Sequence, residues 1–81
     1  MEYTVYVLRS LRFTKSYVGF TNNLVKRLEE HNSGKSYYTK RYLPWKIIHT
    51  ENYLSHAEAI KREKYLKTAS GRRLVLKKLF K

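Results

Sequence analysis

One carboxylate, Glu63, lies where a purely structural role would not require it. The segment AEAIKREKYLK predicts a helix, and at about 100° per residue Glu63 falls within the apolar stripe of Ile60 and Leu66. This stripe should face the core, where a carboxylate is costly unless it is paired, hydrogen-bonded or bound to metal. Either an ion pair with one of the many cations or a bound divalent ion would explain its position.

Two further polar residues, Arg27 and His31, lie about one helical turn apart. They are four positions apart in LVKRLEEH, at the margin of an apolar stripe that contains Leu24 and Leu28. Both side chains would therefore project from one side of a helix at the edge of the core. A solvated helix face is the simpler interpretation, and His31 would also suit a charge that complements the C-terminal end of the helix dipole.

Tyr6 and Tyr17 lie in two segments, YTVYVLR and SYVGFT, whose β-branched and aromatic residues are typical of strands. If a hairpin register pairs Leu8 with Tyr17, then Tyr6 lies opposite Gly19 and both phenols occupy one face of the sheet. Because Gly19 has no side chain, another group can approach closely above it. The alternative for both tyrosines is ordinary packing in the core or on the surface.

The charge of the chain indicates a polyanionic partner. Lys and Arg number 18 against six acids, all of them Glu, which gives a formal net charge of +12. Eight tyrosines are interleaved with the basic residues. Rings stack on bases while Lys and Arg hold phosphates, so nucleic acid is expected as the partner rather than acidic lipid.

Several protein classes are excluded or disfavoured by composition. The absence of Cys excludes disulfides, thiolate catalysis and zinc sites of the Cys type. The absence of Asp, with only six scattered Glu, disfavours a two-metal centre. No apolar run is long enough to span a bilayer and no signal-peptide pattern is present, so we expect a soluble, cytoplasmic protein without a membrane partner.

These residues must be positioned by one small α+β domain, expected to span residues 1–81. Three segments have strand composition: Tyr3–Arg9, Ser16–Thr21 and Trp45–Tyr53. Three segments predict helices: one after Thr21 as N-cap, one from the capping box at Ser55 through about Thr68, and one over Arg72–Phe80 after a break at Ser70-Gly71. Lys35–Leu43 is aperiodic and is interpreted as a loop. The order ββαβαα predicts a three-stranded, mostly antiparallel sheet flanked by helices.

Together these residues resemble the GIY-YIG nuclease family. Thr4-Val5-Tyr6 stands where the family has GIY, and Tyr17-Val18-Gly19 where it has YIG. Arg27 follows ten residues after Tyr17, with His31 beyond it, and the helix of Glu63 resembles the segment that carries the family's metal-binding glutamate. The glycine of the first motif is replaced by Thr4, which should affect packing more than chemistry.

The resemblance covers nearly the whole chain. Asn32, Gly34 and Pro44-Trp45 are also similar to the small stand-alone members of the family. We see no separate targeting domain of the kind that homing or repair enzymes carry, so little sequence specificity is expected.

The resemblance implies an endonuclease that hydrolyses phosphodiester bonds in DNA with one Mg²⁺ or Mn²⁺ ion on Glu63. Arg27 would hold the non-bridging phosphate oxygens. Tyr6 would take the proton from the attacking water, with Tyr17 and His31 orienting the water and phosphate or relaying protons. Nearby cations and the metal are expected to lower the pKa of Tyr6 by favouring the phenolate. The assignment of the general base among the three residues stays open.

Outside this site, basic residues of the loop and the last helix would follow the nucleic-acid backbone: Lys35, Lys40, Arg41, Arg72, Arg73, Lys77 and Lys78. Their alternative role is solubility. The same charge also fits a catalytically inactive binding module or a structural component of a ribonucleoprotein. DNA is expected over RNA, and the oligomeric state is open.

Overall fold

The computed structural model describes residues 2–79, without the side chains of Leu76, Lys78 and Leu79. These residues form three strands: β1 (Tyr3–Ser10), β2 (Ser16–Thr21) and β3 (Trp45–Tyr53). Three α-helices accompany them: α1 (Leu24–Asn32), α2 (His56–Leu66) and α3 (Ala69–Leu79). The α+β class and the order ββαβαα are thus confirmed. Within the described residues, no helix is long and apolar enough to cross a membrane.

The sheet has the order β2-β1-β3, with both neighbouring pairs antiparallel. Leu8 pairs with Tyr17 and Tyr6 with Gly19, which is the predicted hairpin register. Because side chains alternate along a strand, Tyr6 and Tyr17 share one face of the sheet. Since β2 is an edge strand, groups on α2 can reach Tyr17 around that edge.

The central strand β1 is buried on both faces. Val5 and Val7 point to one face, where they pack with Ala59, Leu66 and Val75 of α2 and α3. Tyr6 and Leu8 point to the other face, where they pack with Trp45 and with partly buried side chains of α1, β2 and the α1–β3 connection. The two helical layers therefore cover opposite sides of a strand whose central residues, 5–8, are all buried hydrophobic residues.

The start of α1 and the loop after it differ from the sequence prediction. The N-cap is Asn23, whose side chain accepts from the backbone N–H of Lys26, while Thr21 is the last residue of β2. The predicted loop Lys35–Leu43 contains a short 3-10 helix, Thr39–Tyr42. The hydrogen bonds of Thr39, described below, explain this local order.

The break between the last two helices lies earlier than predicted. Helix α2 ends at Leu66 and α3 begins at Ala69, so Gly71 lies inside α3. A Cβ at Gly71 would collide with the backbone of Tyr65 and Leu66. Glycine here allows close contact between the two helices rather than ending one of them. The predicted helix end at Phe80 lies outside the described residues.

Candidate active site

The Tyr6 hydroxyl occupies a space that only glycine leaves open. Tyr6 lies on the central strand and is 1% exposed. A Cβ at Gly19 would stand 2.7 Å from Tyr6 Oη and 3.0 Å from Tyr17 Cε2. The first distance is shorter than real Cβ contacts and the second is at their lower limit, so both phenols converge above Gly19, with ring centroids 6.2 Å apart.

His31, on helix α1, is fully buried and packs against both Tyr6 and Tyr17. Its Nε2 lies 2.9 Å from Tyr6 Oη and its Nδ1 lies 2.8 Å from Thr39 Oγ1, while its ring centroid is 4.7 Å from that of Tyr17. Burial, with a smaller contribution from the charge of Arg27, lowers the pKa of His31 to about 4. His31 is therefore neutral at physiological pH, and the interpretation as a charge on the helix dipole is wrong.

Thr39 is held in place by Trp45 and Asn32. The indole Nε1–H of Trp45 donates to the carbonyl of Thr39 at 2.8 Å. The Asn32 side chain accepts from the backbone N–H of Trp45 at 2.7 Å and donates to its carbonyl at 3.2 Å. These contacts join the end of α1, the 3-10 helix and the start of β3, so they fix the hydroxyl that His31 requires.

Arg27 lies on α1 beside both phenols. Its Nη1 donates to Glu30 Oε1 at 3.3 Å, and its guanidinium also interacts with Tyr6 and Tyr17. Burial alone would lower the pKa of Arg27, but these hydrogen-bonding partners outweigh burial and raise it. Arg27 is therefore a fixed positive charge next to the Tyr6 and Tyr17 hydroxyls.

The pKa of Tyr6 moves in the direction opposite to our expectation. Burial and the nearby Tyr17 raise it to about 12, although Arg27 acts to lower it. Arg27 acts in the expected direction and favours the phenolate, but desolvation of the phenolate costs more than Arg27 returns, so the net pKa of Tyr6 rises rather than falls in the protein by itself. Tyr6 is a neutral phenol at physiological pH.

Glu63, on helix α2, lies near the two phenols of Tyr6 and Tyr17. Its side chain is 15% exposed, and its Oε1 lies 2.7 Å from Nζ of Lys67. Lys67 Nζ lies 5.9 Å from the centre of the Tyr17 ring. The negative charge of Glu63 also adds to burial and Tyr17 in raising the pKa of Tyr6. Of the two interpretations offered for this carboxylate, the ion pair is present, and it lies beside the phenols.

The ligands available for a metal ion are few. Within residues 2–79, no three His, Cys, Asp or Glu side chains come together as a metal cluster. Glu63 would therefore supply one carboxylate, and water and substrate phosphate oxygens would complete the ligand set. Oxygen ligands of this kind suit one Mg²⁺ or Mn²⁺ ion and do not suit a two-metal centre.

An open cavity of about 540 Å³ adjoins Tyr17. Its buried apolar lining comes from β2, α2 and α3: Val18, Leu66 and Val75. Its exposed cations are Lys15, Lys67 and Arg72, and Tyr38 adds an aromatic ring that is 42% exposed. A cavity with apolar surface and three cations suits an anion that also has a flat apolar part, as a nucleotide does.

The basic residues predicted to follow nucleic acid divide between two surfaces. Lys35, Lys40 and Arg41 are exposed on the connection that carries Thr39, and the last two lie over the Tyr37 ring at 5.2 Å each. Arg72, Arg73 and Lys77 are exposed on α3, where only Arg72 of the three lines the cavity. The Lys78 side chain lies outside the described residues.

Three residues of this region escaped sequence reasoning: Thr39, Lys15 and Lys67. Thr39 is a single hydroxyl in a segment without periodicity, and nothing local indicates that it is buried. Lys15 and Lys67 belong to a background of many exposed lysines. The spacing of Lys67 from Glu63, four positions along a helix, was the one available signal.

A protein-family model and several relatives match this chain. Residues 2–78 match the model of the GIY-YIG catalytic domain. A UPF0213 protein of Bacillus licheniformis is 44% identical over 66 residues, which cover 80% of this chain and 67% of the relative. A UPF0213 protein of Syntrophus aciditrophicus is 46% identical over 56 residues, which cover 67% of this chain and 64% of the relative.

A solved structure is also similar. The solution NMR structure of a UPF0213 protein from Bacillus halodurans superposes with a TM-score of 0.58 at 29% identity, covering 98% of this chain and 87% of that one. Since the domain match covers residues 2–78, nearly the whole chain, and the Bacillus licheniformis relative is 44% identical, the chain belongs to the GIY-YIG family, among its small UPF0213 proteins.

Proposed function

We propose that this protein is an endonuclease that hydrolyses phosphodiester bonds in DNA with the help of one Mg²⁺ or Mn²⁺ ion. The observation that supports it best is the Tyr6 hydroxyl, placed against Gly19 and 2.9 Å from a buried, neutral His31. Packing alone does not require a phenol, an imidazole and a guanidinium to meet above a glycine. The family to which the chain belongs is defined by a catalytic domain. Action on cellular DNA would place the protein in the cytoplasm.

In the proposed reaction the proton of the attacking water moves along Tyr6 and His31. With a pKa of about 12, Tyr6 does not ionise in advance. It can accept the water proton at Oη only as its own proton passes to Nε2 of His31, which leaves Tyr6 neutral and His31 protonated. This requires the His31 tautomer whose Nδ1–H donates to Thr39 Oγ1, at the observed 2.8 Å.

Arg27 and Tyr17 would bind the phosphate. The planar guanidinium of Arg27 can donate two hydrogen bonds to non-bridging oxygens, whose charge grows as water attacks. It is already placed beside both phenols, so little reorganisation is needed. Tyr17, half-buried at the wall of the cavity, would orient the phosphate or the water with its hydroxyl.

Glu63 would hold the divalent ion. When bound, such an ion supplies Lewis-acid charge that stabilises the leaving 3′ oxygen. The near-buried position of the Glu63 carboxylate restricts its motion, and its contact with Lys67 shows that a cation can reach its Oε1.

The second candidate is a nucleic-acid-binding module without catalysis. It is favoured by the same Glu63–Lys67 ion pair, because a carboxylate neutralised by its own lysine does not need a metal ion. The exposed cations of the connection and of α3 would serve either function equally well.

A cleavage panel separates the two. Purified wild type should cut at least one of linear, nicked, flapped or branched DNA in Mg²⁺ or Mn²⁺ and should not cut in EDTA. Folded RNA is included to test the preference for DNA. Glu63→Ala should keep DNA affinity and lose cleavage, whereas Glu58→Ala, a change of an exposed carboxylate on the same helix, should retain both. Undiminished cleavage by pure Glu63→Ala protein would eliminate the proposed mechanism.

A further inference from the structure

Lys67 stands between the candidate metal ligand and the cavity. Its Nζ lies 2.7 Å from Oε1 of Glu63, yet the same side chain lines the cavity beside Tyr17. Lys67 is the C-cap residue of α2, and its side chain is 52% exposed, compared with 15% for Glu63. The carboxylate is thus held in place while its partner, on a flexible four-carbon stem, is able to move.

An ammonium group and a divalent ion compete for this carboxylate. Lys67 binds Oε1, one of the two carboxylate oxygens that a divalent ion would use, and a positive charge held a few ångströms from a divalent ion repels it. With no metal cluster among the described residues, no other group of carboxylates offers the ion a second position. An ion that binds Glu63 through Oε1, or through both oxygens, must displace Lys67 from it.

An anion bound in the cavity would be a new partner for the displaced ammonium. Lys15 and Arg72 line the same cavity, so any anion that enters it meets positive charge from the β1–β2 connection and from α3. A third positive charge from Lys67, released from its carboxylate, would strengthen that attraction. A backbone phosphate next to the one that is cut is the anion that a nucleic-acid strand would bring to a cavity adjoining Tyr17.

We propose that Lys67 exchanges partners during substrate binding: it pairs with Glu63 in the free protein and with a backbone phosphate in the cavity when a divalent ion occupies Glu63. The inference rests on the proposed function, since it requires Glu63 to bind the ion. It assigns to Lys67 a role in coupling the two ligands and to the cavity a phosphate subsite.

The exchange has a thermodynamic consequence that can be measured. If metal binding frees Lys67 for phosphate, then metal strengthens DNA binding, and DNA strengthens metal binding by the same factor. Without Lys67 the metal no longer has a competitor, so it binds more tightly, and the coupling between the ligands decreases. A lysine that only stabilises the end of α2 produces neither effect.

Metal affinity is tested first, on the full chain without DNA. Mn²⁺ is titrated into ¹⁵N-labelled protein, and the paramagnetic broadening of amide signals near residue 63 gives the Kd. Lys67→Gln should bind Mn²⁺ about tenfold more tightly than wild type. Lys64→Gln removes the same charge from a neighbouring exposed position of α2 and should stay within about twofold. Equal Kd values for Lys67→Gln and Lys64→Gln would overturn the proposal.

Coupling is tested second, by fluorescence anisotropy with a phosphorothioate DNA that resists cleavage. In wild type and Lys64→Gln, Mn²⁺ should tighten DNA binding several-fold relative to EDTA, whereas Lys67→Gln should lose most of that gain. Equal gains in all three proteins would also overturn the proposal. Amide spectra of each variant establish that the fold is retained.

Glu63→Gln separates this inference from the proposed function. If Glu63→Gln loses the broadening near residue 63 while Lys67→Gln behaves as wild type, the metal site stands and the exchange is refuted. If Glu63→Gln binds Mn²⁺ at that position as wild type does, Glu63 is not the ligand, and both the metal site and the exchange are refuted.

Discussion

Glu51 and Arg62 form a two-point ion pair that ties strand β3 to helix α2. Nε of Arg62 lies 2.8 Å from Oε1 of Glu51, and Nη2 lies 3.1 Å from Oε2. The same carboxylate lies 2.8 Å from Nε2 of His49 and accepts from the Tyr53 hydroxyl at 2.7 Å. Because Arg62 immediately precedes Glu63, this contact restricts the rotation of the helix that carries the candidate metal ligand.

Glu51 should make the protein sensitive to strong acid. Burial opposes ionisation of this carboxyl, but hydrogen bonds from Arg62, His49 and Tyr53 outweigh it and lower the pKa to about 2. A lowered carboxyl pKa contributes stability that is present above the unfolded pKa of 4.5 and is lost as pH falls toward 2. In urea unfolding, Glu51→Gln should flatten this part of the stability curve, whereas Glu58→Gln, at an exposed position, should not.

His31 should make the free energy of unfolding depend on pH in a higher range than Glu51 does. Its pKa is lowered from 6.5 to about 4, so the unfolded chain binds more protons than the folded one between these values. Stability is therefore fully present above pH 6.5 and decreases as pH falls to 4, by about 2–3 kcal/mol. Urea unfolding should show this loss in wild type and a much smaller slope in His31→Gln, even if that variant is less stable throughout. Equal slopes in the two proteins would contradict a buried neutral imidazole.

Tyr6→Phe tests the proton path with the smallest possible change. Removal of Oη breaks the contact with His31 and should cost about 1–3 kcal/mol of unfolding free energy, because the buried imidazole loses a partner. Single-turnover cleavage should fall by about 10²–10⁴-fold while DNA affinity stays the same. Tyr37→Phe is the matched control, since the Tyr37 ring is 71% exposed and its hydroxyl accepts from the exposed Arg41. A similar small effect for both variants would remove Tyr6 from the mechanism.

Arg27→Lys keeps the charge beside the phenols but loses the planar pair of donors. If Arg27 holds two non-bridging oxygens in the transition state, the variant should cleave about 10²–10³-fold more slowly, with DNA Kd changed little. Arg12→Lys makes the same change at an exposed position of the β1–β2 connection and should have wild-type rates. Should Arg27→Lys weaken DNA binding as much as it slows cleavage, Arg27 would be a binding residue only.

Local sequence patterns were sufficient for the fold. Alternating β-branched and aromatic residues predicted the three strands. The hairpin register that pairs Leu8 with Tyr17, and so places Tyr6 opposite Gly19, is the one observed between β1 and β2. The Ser55 cap was also correct, since its hydroxyl accepts from the backbone N–H of Glu58 at 3.0 Å. The errors were local: glycine was taken as a helix stop at Gly71, because a sequence shows its permissive backbone but not the neighbouring helix against which it packs.

The sequence by itself determined the order of the elements, the shared face of the two phenols and the family, since these depend on residue types and on short, regular spacings. Only the tertiary structure decided the ionisation states and partners: a neutral His31 bound to Thr39, a Tyr6 whose pKa rises, and a Glu63 already paired with Lys67. The physical reason is desolvation. The cost of removing a charged group from water depends on every segment packed around it, and those segments come together only in the folded chain.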